Sequence, residues 1–174
     1  MESHSHADNK YDLYWTLTEV GIMVDVEKMV GSTRTDLLIE LNSHLLAVEI
    51  QCTPISINEI VKRMREHTRK NAHTLWLIDE KLLQNNEYSR NLNWVGFIQN
   101  IQNGVIFLPT NSCQIVPARV DNAMCYHRGK LVTKKKYLDK RLPIDIGDLC
   151  FDKNDGMNIV SINEWWVESY VDLA

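Results

Sequence analysis

Between Thr35 and Gln51 apolar residues cluster on either side of a polar break, in Leu37–Ile39 and Leu45–Val48 around Asn42-Ser43-His44. Two short strands are predicted there, Thr35–Leu41 and Leu45–Gln51, joined at the Asn42–Ser43 turn signal. If those two residues make the tight turn, Leu41 faces His44. Leu37 then faces Val48 and Ile39 faces Leu46 on an apolar face. The same register sets Asp36 opposite Glu49, and Arg34 opposite Gln51. Directly opposed side chains lie about 5 Å apart at Cβ, and like charges placed so repel. Two carboxylates held that close share a proton or a cation.

The pattern predicts helices and further strands around this hairpin. His6–Thr18 fits an amphipathic helix with Tyr11, Tyr14, Trp15 and Thr18 as its stripe, ending at Glu19–Gly21. Ile22–Val30 reads as a strand with Ile22, Val24 and Val26 on one side, and Gly31-Ser-Thr as a turn. After Cys52-Thr-Pro54, Ser56 and Glu59 form a capping box opening a helix whose stripe is Ile57, Ile60, Val61 and Met64. Its polar side carries Lys62, Arg63, Arg65, Arg69 and Lys70, with Arg63, His67 and Lys70 in one row. Thr74–Asp79 is nearly all apolar, as a strand covered on both faces would be. Strand, helix and strand make a βαβ unit. Lys81–Ser89 reads as loop or a short helical turn, and Leu92–Asn100 as a helix stopping at Asn103–Gly104. Val105–Leu108 and Gln114–Val116 suggest a hairpin ending the sheet. Arg128–Arg141 is basic and ambiguous in structure. A second capping box, Ser161 to Glu164, opens a closing helix with Trp165, Trp166, Ser169, Tyr170 and Leu173 on one face.

Composition narrows the class. A chain of 174 residues with 44% hydrophobic positions is a single domain with a real core. No apolar run reaches the roughly eighteen residues of a membrane-crossing helix, and Met1–Lys10 has no hydrophobic leader region. Cys52, Cys113, Cys125 and Cys150 are widely spaced, so reduced thiols in a cytoplasmic protein are expected. A net charge of −4 gives no global attraction to nucleic acid, which leaves local basic patches to supply any.

The Asp36…Glu49-x-Gln51 set has the form of a metal-dependent nuclease centre. Phosphodiester hydrolysis near neutral pH needs Mg²⁺ or a similar ion, and hard oxygen ligands suit it. Asp36 and Glu49 would supply carboxylates, the Ile50 carbonyl a further ligand, and Gln51 a polar group for the attacking water.

At these residues the chain resembles a family. Arg34-Thr-Asp36, Ala47-Val-Glu-Ile-Gln-Cys-Thr-Pro-Ile-Ser56, Arg63, Leu75-Trp-Leu-Ile78 and the helix opening His6-x-x-x-Lys10 are similar to the nuclease-like domain of the competence protein CoiA, of the PD-(D/E)xK superfamily. The resemblance covers roughly residues 6–117. It implies an α/β fold with a restriction-endonuclease-like core, a central mixed sheet flanked by helices. Residues 1–117 would form that core and 118–174 a small C-terminal elaboration packed on it. It further implies Mg²⁺ or Mn²⁺ bound by Asp36 and Glu49, with Gln51 in place of the superfamily's usual lysine and Arg63 beside the site. His67 stands where the family's R-x-x-x-Y-like helix has an aromatic Tyr. Glu27 is favoured over Glu19 as the third acidic ligand, because it lies on the first strand. Arg34, Lys62, Arg63, His67 and Lys70 are the expected DNA-binding residues. The implied activity is a Mg²⁺-dependent DNA nuclease serving DNA uptake, recombination or phage and mobile-element biology. The alternative is an inactive relative that binds nucleic acid or blocks a host protein.

Other features carry plainer readings. The basic rows are solvated surface unless they flank a site, and His4 and His6 read as a frayed terminus. Asp152-Lys-Asn-Asp-Gly156 is a turn, since its glycine falls one place early for a calcium loop. Trp165 and Trp166 read as core; if exposed they would mark a protein partner's surface. Oligomeric state is open, a homodimer included.

Overall fold

The computed structural model describes residues 4–41, 43–84, 93–127 and 130–149. The chain runs α1 (His4–Glu19), β1 (Met23–Val26), β2 (Met29–Val30), β3 (Thr33–Arg34), β4 (Leu37–Leu41), β5 (His44–Gln51), α2 (Ile57–Arg69) and β6 (Ala72–Ile78). It continues through α3 (Glu80–Gln84), α4 (Asn93–Ile101), β7 (Ile106–Pro109), β8 (Gln114–His127), β9 (Lys130–Lys140) and β10 (Ile144–Asp145) to a 3₁₀ turn at Ile146–Asp148.

The main sheet has the order β1-β4-β5-β6-β7-β8-β10, with β9 also paired to β8. The β4–β5 hairpin has the register that a turn at Asn42–Ser43 predicts: Leu37 opposes Val48, Ile39 opposes Leu46 and Leu41 opposes His44. Ser43 takes φ of 66° in the turn, a left-handed conformation that short polar residues tolerate best. The α2 crossover returns the chain so that β6 runs parallel to β5, and β7 is parallel to β6. β1 on one flank and β8 on the other are antiparallel to their neighbours. This is a mixed α/β sheet flanked by helices, as a nuclease-like core requires.

Alternate residues of β6 explain why it reads as continuous apolar sequence. Leu75 and Leu77 pack on the α1 side with Leu13, Leu17, Leu37, Ile39 and Val48. Trp76 and Ile78 pack on the other side with Ile60 of α2 and Trp94, Val95 and Ile98 of α4. A strand buried on both faces has no polar face to show.

Several expectations change. α1 turns Lys10, Leu13 and Leu17 inward, whereas Tyr11 and Trp15 of the predicted stripe are 45% and 60% exposed. Two aliphatics one turn apart bury more completely than bulky rings at the rim. In α2, Ile60 is buried but Ile57 is exposed, and His67, read as part of a basic row, has no exposed surface. The strand predicted over Ile22–Val30 breaks at Glu27, whose φ is 52°. β7–β8 does not end the sheet, because β8 continues to pair with β9 and β10. The basic stretch within Arg128–Arg141 is largely strand β9. The expected closing helix with Trp165 and Trp166 and the Asp152–Gly156 turn lie outside the described residues. Among the described residues no helix is long and apolar enough to cross a membrane.

Candidate nuclease site

Three acidic residues fall in one row across adjacent strands. Val26 pairs with Leu37 and Leu37 with Val48, so one step further Glu27, Asp36 and Glu49 stand side by side on β1, β4 and β5 extended. The Glu27 amide donates to the Asp36 carbonyl at 2.9 Å, which continues the β1–β4 pairing to this point. Beyond it the chain leaves the sheet. Met29–Val30 and Thr33–Arg34 form their own small hairpin, so Arg34 pairs with Met29 and has no ladder contact with Gln51. Gly31 turns that hairpin at φ of 63°, and a Cβ there would lie 2.6 Å from the Glu66 carboxylate. Glu66 accepts from the Ser32 amide at 3.0 Å, which fastens the hairpin to α2.

Each carboxylate has a different environment. Asp36 Oδ2 accepts from the Ile50 amide at 2.7 Å and lies 3.2 Å from His6 Nε2. Both contacts fall on one oxygen, which leaves Oδ1 for another ligand. Glu27 spends Oε1 on Lys10 Nζ at 2.8 Å and Oε2 on Arg34 at 3.4 Å. Glu49 is 1% exposed; its Oε2 accepts from Arg63 Nη1 at 2.5 Å. Its Oε1 sits 3.5 Å from His67 Nε2, and neither of these atoms has a hydrogen-bond partner. Burial pushes the Glu49 carboxyl up to about 7; Arg63 pulls it down and Asp36 pushes it further up. Burial, with Arg63 nearby, lowers His67 to about 4, so its ring is neutral at pH 7.

A cleft of about 590 Å³ opens beside this row. Its walls include His6, Ser32, Arg34, Asp36, Ile50, Gln51, Glu59, Lys62 and Arg63, at the carboxyl end of β5 and the start of α2. Ligands of open α/β sheets bind at such strand ends. Ser56 caps α2 by accepting from the Glu59 amide at 3.2 Å, which sets the helix turn carrying Glu59, Lys62 and Arg63. Arg63 bridges Glu59 and Glu49 and lines the cleft, with Glu49 behind it. Arg34, Lys62 and Arg63 therefore line the opening together with Asp36 and Glu59, and the buried Glu49 carboxylate lies behind Arg63.

The family model for the nuclease-like domain of competence protein CoiA matches residues 2–142. The chain belongs to the CoiA nuclease-like family. No curated protein and no solved structure matches it. Membership in this family supports a nuclease-type function.

Within the CoiA-like frame, the structure brings Asp36, Gln51, Arg34, Lys62 and Arg63 to one cleft, with Glu49 directly behind. Gln51 donates its amide Nε2 to the Thr53 carbonyl at 2.5 Å. Lys70, at the far end of α2, and Glu27 do not line the cleft. His67 is turned away from solvent, towards Glu49 and towards Thr74. His6 lies on α1, not in a frayed terminus, and reaches Asp36. Lys10, one turn on, is buried against Glu27. The i, i+4 spacing of these two residues was the available signal, since it places both on the face of α1 turned towards the acidic row.

Among the described residues, no group of three His, Cys, Asp or Glu side chains is arranged to hold a metal ion. Two carboxylates nonetheless fit Mg²⁺, which keeps several waters and often takes only one or two from the protein. The Glu49 carboxylate, held by Arg63 on Oε2, and Oδ1 of Asp36 are the donors that such an ion would use.

Proposed function

We propose that this protein is a divalent-metal-dependent nuclease that hydrolyses phosphodiester bonds in DNA, with Asp36 and Glu49 holding Mg²⁺ or Mn²⁺. The observation that carries this reading is the meeting of a buried carboxylate and a neighbouring aspartate behind a cation-lined cleft at the strand ends. When bound, the ion activates water and neutralises charge on the scissile phosphate. Arg34 and Lys62, exposed at the rim, bind the flanking phosphates. Arg63 holds the Glu49 carboxylate, and it would be free to contact the phosphate if Glu49 bound an ion. His6 orients Asp36, and the Gln51 carbonyl oxygen accepts from the attacking water. Glu27 could reach the ion only by releasing Lys10 or Arg34. The family's link to competence suggests a role in DNA uptake or recombination, in a phage or mobile element as much as in a host.

One observation favours a second reading. A neutral amide at position 51, already bonded to Thr53, stabilises developing charge less than a lysine would. A relative that binds nucleic acid without cutting it is the outcome in that case.

The test is cleavage of single-stranded, double-stranded and branched DNA with Mg²⁺ or Mn²⁺, beside an EDTA control. Cleavage that needs the ion is expected. Glu49 must shed its proton to serve as a ligand, so at sub-saturating metal the rate rises with pH through about 7 and then levels. Saturating metal moves that midpoint downward. DNA binding that persists in EDTA, with no cleavage under either ion, would establish the second reading instead.

A further inference from the structure

The buried His67 has no part in binding phosphate, and its surroundings give it another. Its ring is enclosed between α2 and β6, with Nδ1 2.9 Å from Thr74 Oγ1 and Nε2 3.5 Å from Glu49 Oε1. Thr74 is itself 4% exposed and lies opposite Ala47 in the β5–β6 ladder. A neutral imidazole has one N–H and one lone pair, and the group at one nitrogen settles which is which. If the Thr74 hydroxyl donates to Nδ1, the proton must sit on Nε2, aimed at Glu49. If Nδ1 donates to Thr74, two lone pairs confront each other across 3.5 Å in a buried space, unless Glu49 is protonated there.

We infer that His67 is the positioning residue of the site: Thr74 locks it as the Nε2–H tautomer, and Nε2–H holds Glu49 Oε1 from beneath so that Oε2 faces the cleft. The contact is slack at 3.5 Å with Arg63 on the opposite oxygen. Drawing Glu49 towards a cation would require only a small rotation about the carboxylate, which His67 then guides. Groups that orient a metal's ligands from behind in this way typically affect affinity by about 10–100-fold. The inference rests on the proposed metal-binding role of Glu49, but the tautomer does not depend on any metal.

Two measurements test it, one on the metal-free protein. ¹⁵N NMR of the His67 ring at pH 8 is expected to show protonated Nε2 and unprotonated Nδ1. The reverse tautomer would overturn the inference without any variant. Mn²⁺ affinity, read by electron paramagnetic resonance, is expected to fall about tenfold in His67→Phe. It should return to within about threefold of wild type in His67→Gln, whose amide N–H falls near the position of Nε2. Thr74→Val, a smaller change, should mix the tautomers and weaken Mn²⁺ in the same direction. Equal Mn²⁺ affinity in wild type and His67→Phe would contradict the role. Wild-type protein with the Nε2–H tautomer but no Mn²⁺ binding would support the Thr74–His67–Glu49 arrangement and overturn the metal-dependent reading of the site.

Discussion

Glu49→Gln is expected to abolish ion-dependent DNA cleavage, by about a thousandfold or more, while leaving the protein folded. A ligand that places an ion on the scissile phosphate is worth several kcal/mol in the transition state, and each ~1.4 kcal/mol is tenfold in rate. Gln keeps the volume and one acceptor oxygen but loses the charge that an ion needs. Its neighbours are not disturbed sterically, because Glu49 is enclosed by Arg63, His67 and Thr35, and an amide fits where a carboxylate did. Stability should not fall at pH 8, where the wild type bears an ionised carboxylate in a buried position. A thermal melt at that pH, run beside the cleavage assay, separates loss of chemistry from loss of fold. Undiminished cleavage in this variant would remove Glu49 from the site.

Arg63→Met should destabilise the fold, and more so at high pH. Arg63 is 29% exposed and supplies a cation bonded to Glu49 at 2.5 Å. Glu49 titrates at about 7 in the folded protein against 4.5 for the ordinary side chain. A folded value above the unfolded one contributes stability that is full below about 4.5 and lost as pH rises through about 7. Without Arg63 the folded value climbs further, so the variant goes on losing stability above pH 7 after the wild type has levelled. At pH 5 Glu49 is protonated in both proteins, and the cost is the lost hydrogen bonds to Glu49 and Glu59, about 1 kcal/mol. At pH 8 roughly 1.4 kcal/mol more is expected, one pH interval's worth of linkage. Chemical denaturation at the two pH values reads the difference, and adding Glu49→Gln to the variant should erase it. An equal loss at pH 5 and pH 8 would mean that Glu49 carries no charge for Arg63 to compensate.

The parts of this fold that could be read from the chain are those where short-range pattern and burial agree. The β4–β5 register follows from placing a two-residue turn at Asn42–Ser43, and a one-residue slip would have turned Leu37 and Ile39 into solvent. The start of α2 follows from the Ser56–Glu59 box, and β6 from an apolar run too short for a helix. What could not be read depended on where a charged or aromatic side chain points. Lys10 and His67 count as solvent-seeking by composition, yet each is buried because an acid on a neighbouring strand meets it. Tyr11 and Trp15 have helical spacing as good as that of Leu13 and Leu17, and only tertiary packing decides between the two stripes. β9 was hidden by its lysines, since β8 supplies the pairing that composition alone does not reveal.

The same division runs through the site. Asp36, Glu49, Arg63 and Gln51 lie within one local strand–helix unit, and their spacing brought them into view together. His6 comes from α1 and Thr74 from β6, so the contact of His6 with Asp36 and that of Thr74 with His67 depend on the assembled sheet. The backbone bond from Ile50 to Asp36 also depends on it: it turns the aspartate from a simple cross-strand partner into an oriented ligand with one oxygen spare.

The central claim is that Asp36 and Glu49 together hold one divalent cation. It is tested most directly by anomalous diffraction from crystals soaked in Mn²⁺ above pH 7. One strong peak touching carboxylate oxygens of both residues is expected, with Arg63 displaced from Glu49. A peak elsewhere, or none at an ion concentration that saturates cleavage, would contradict it.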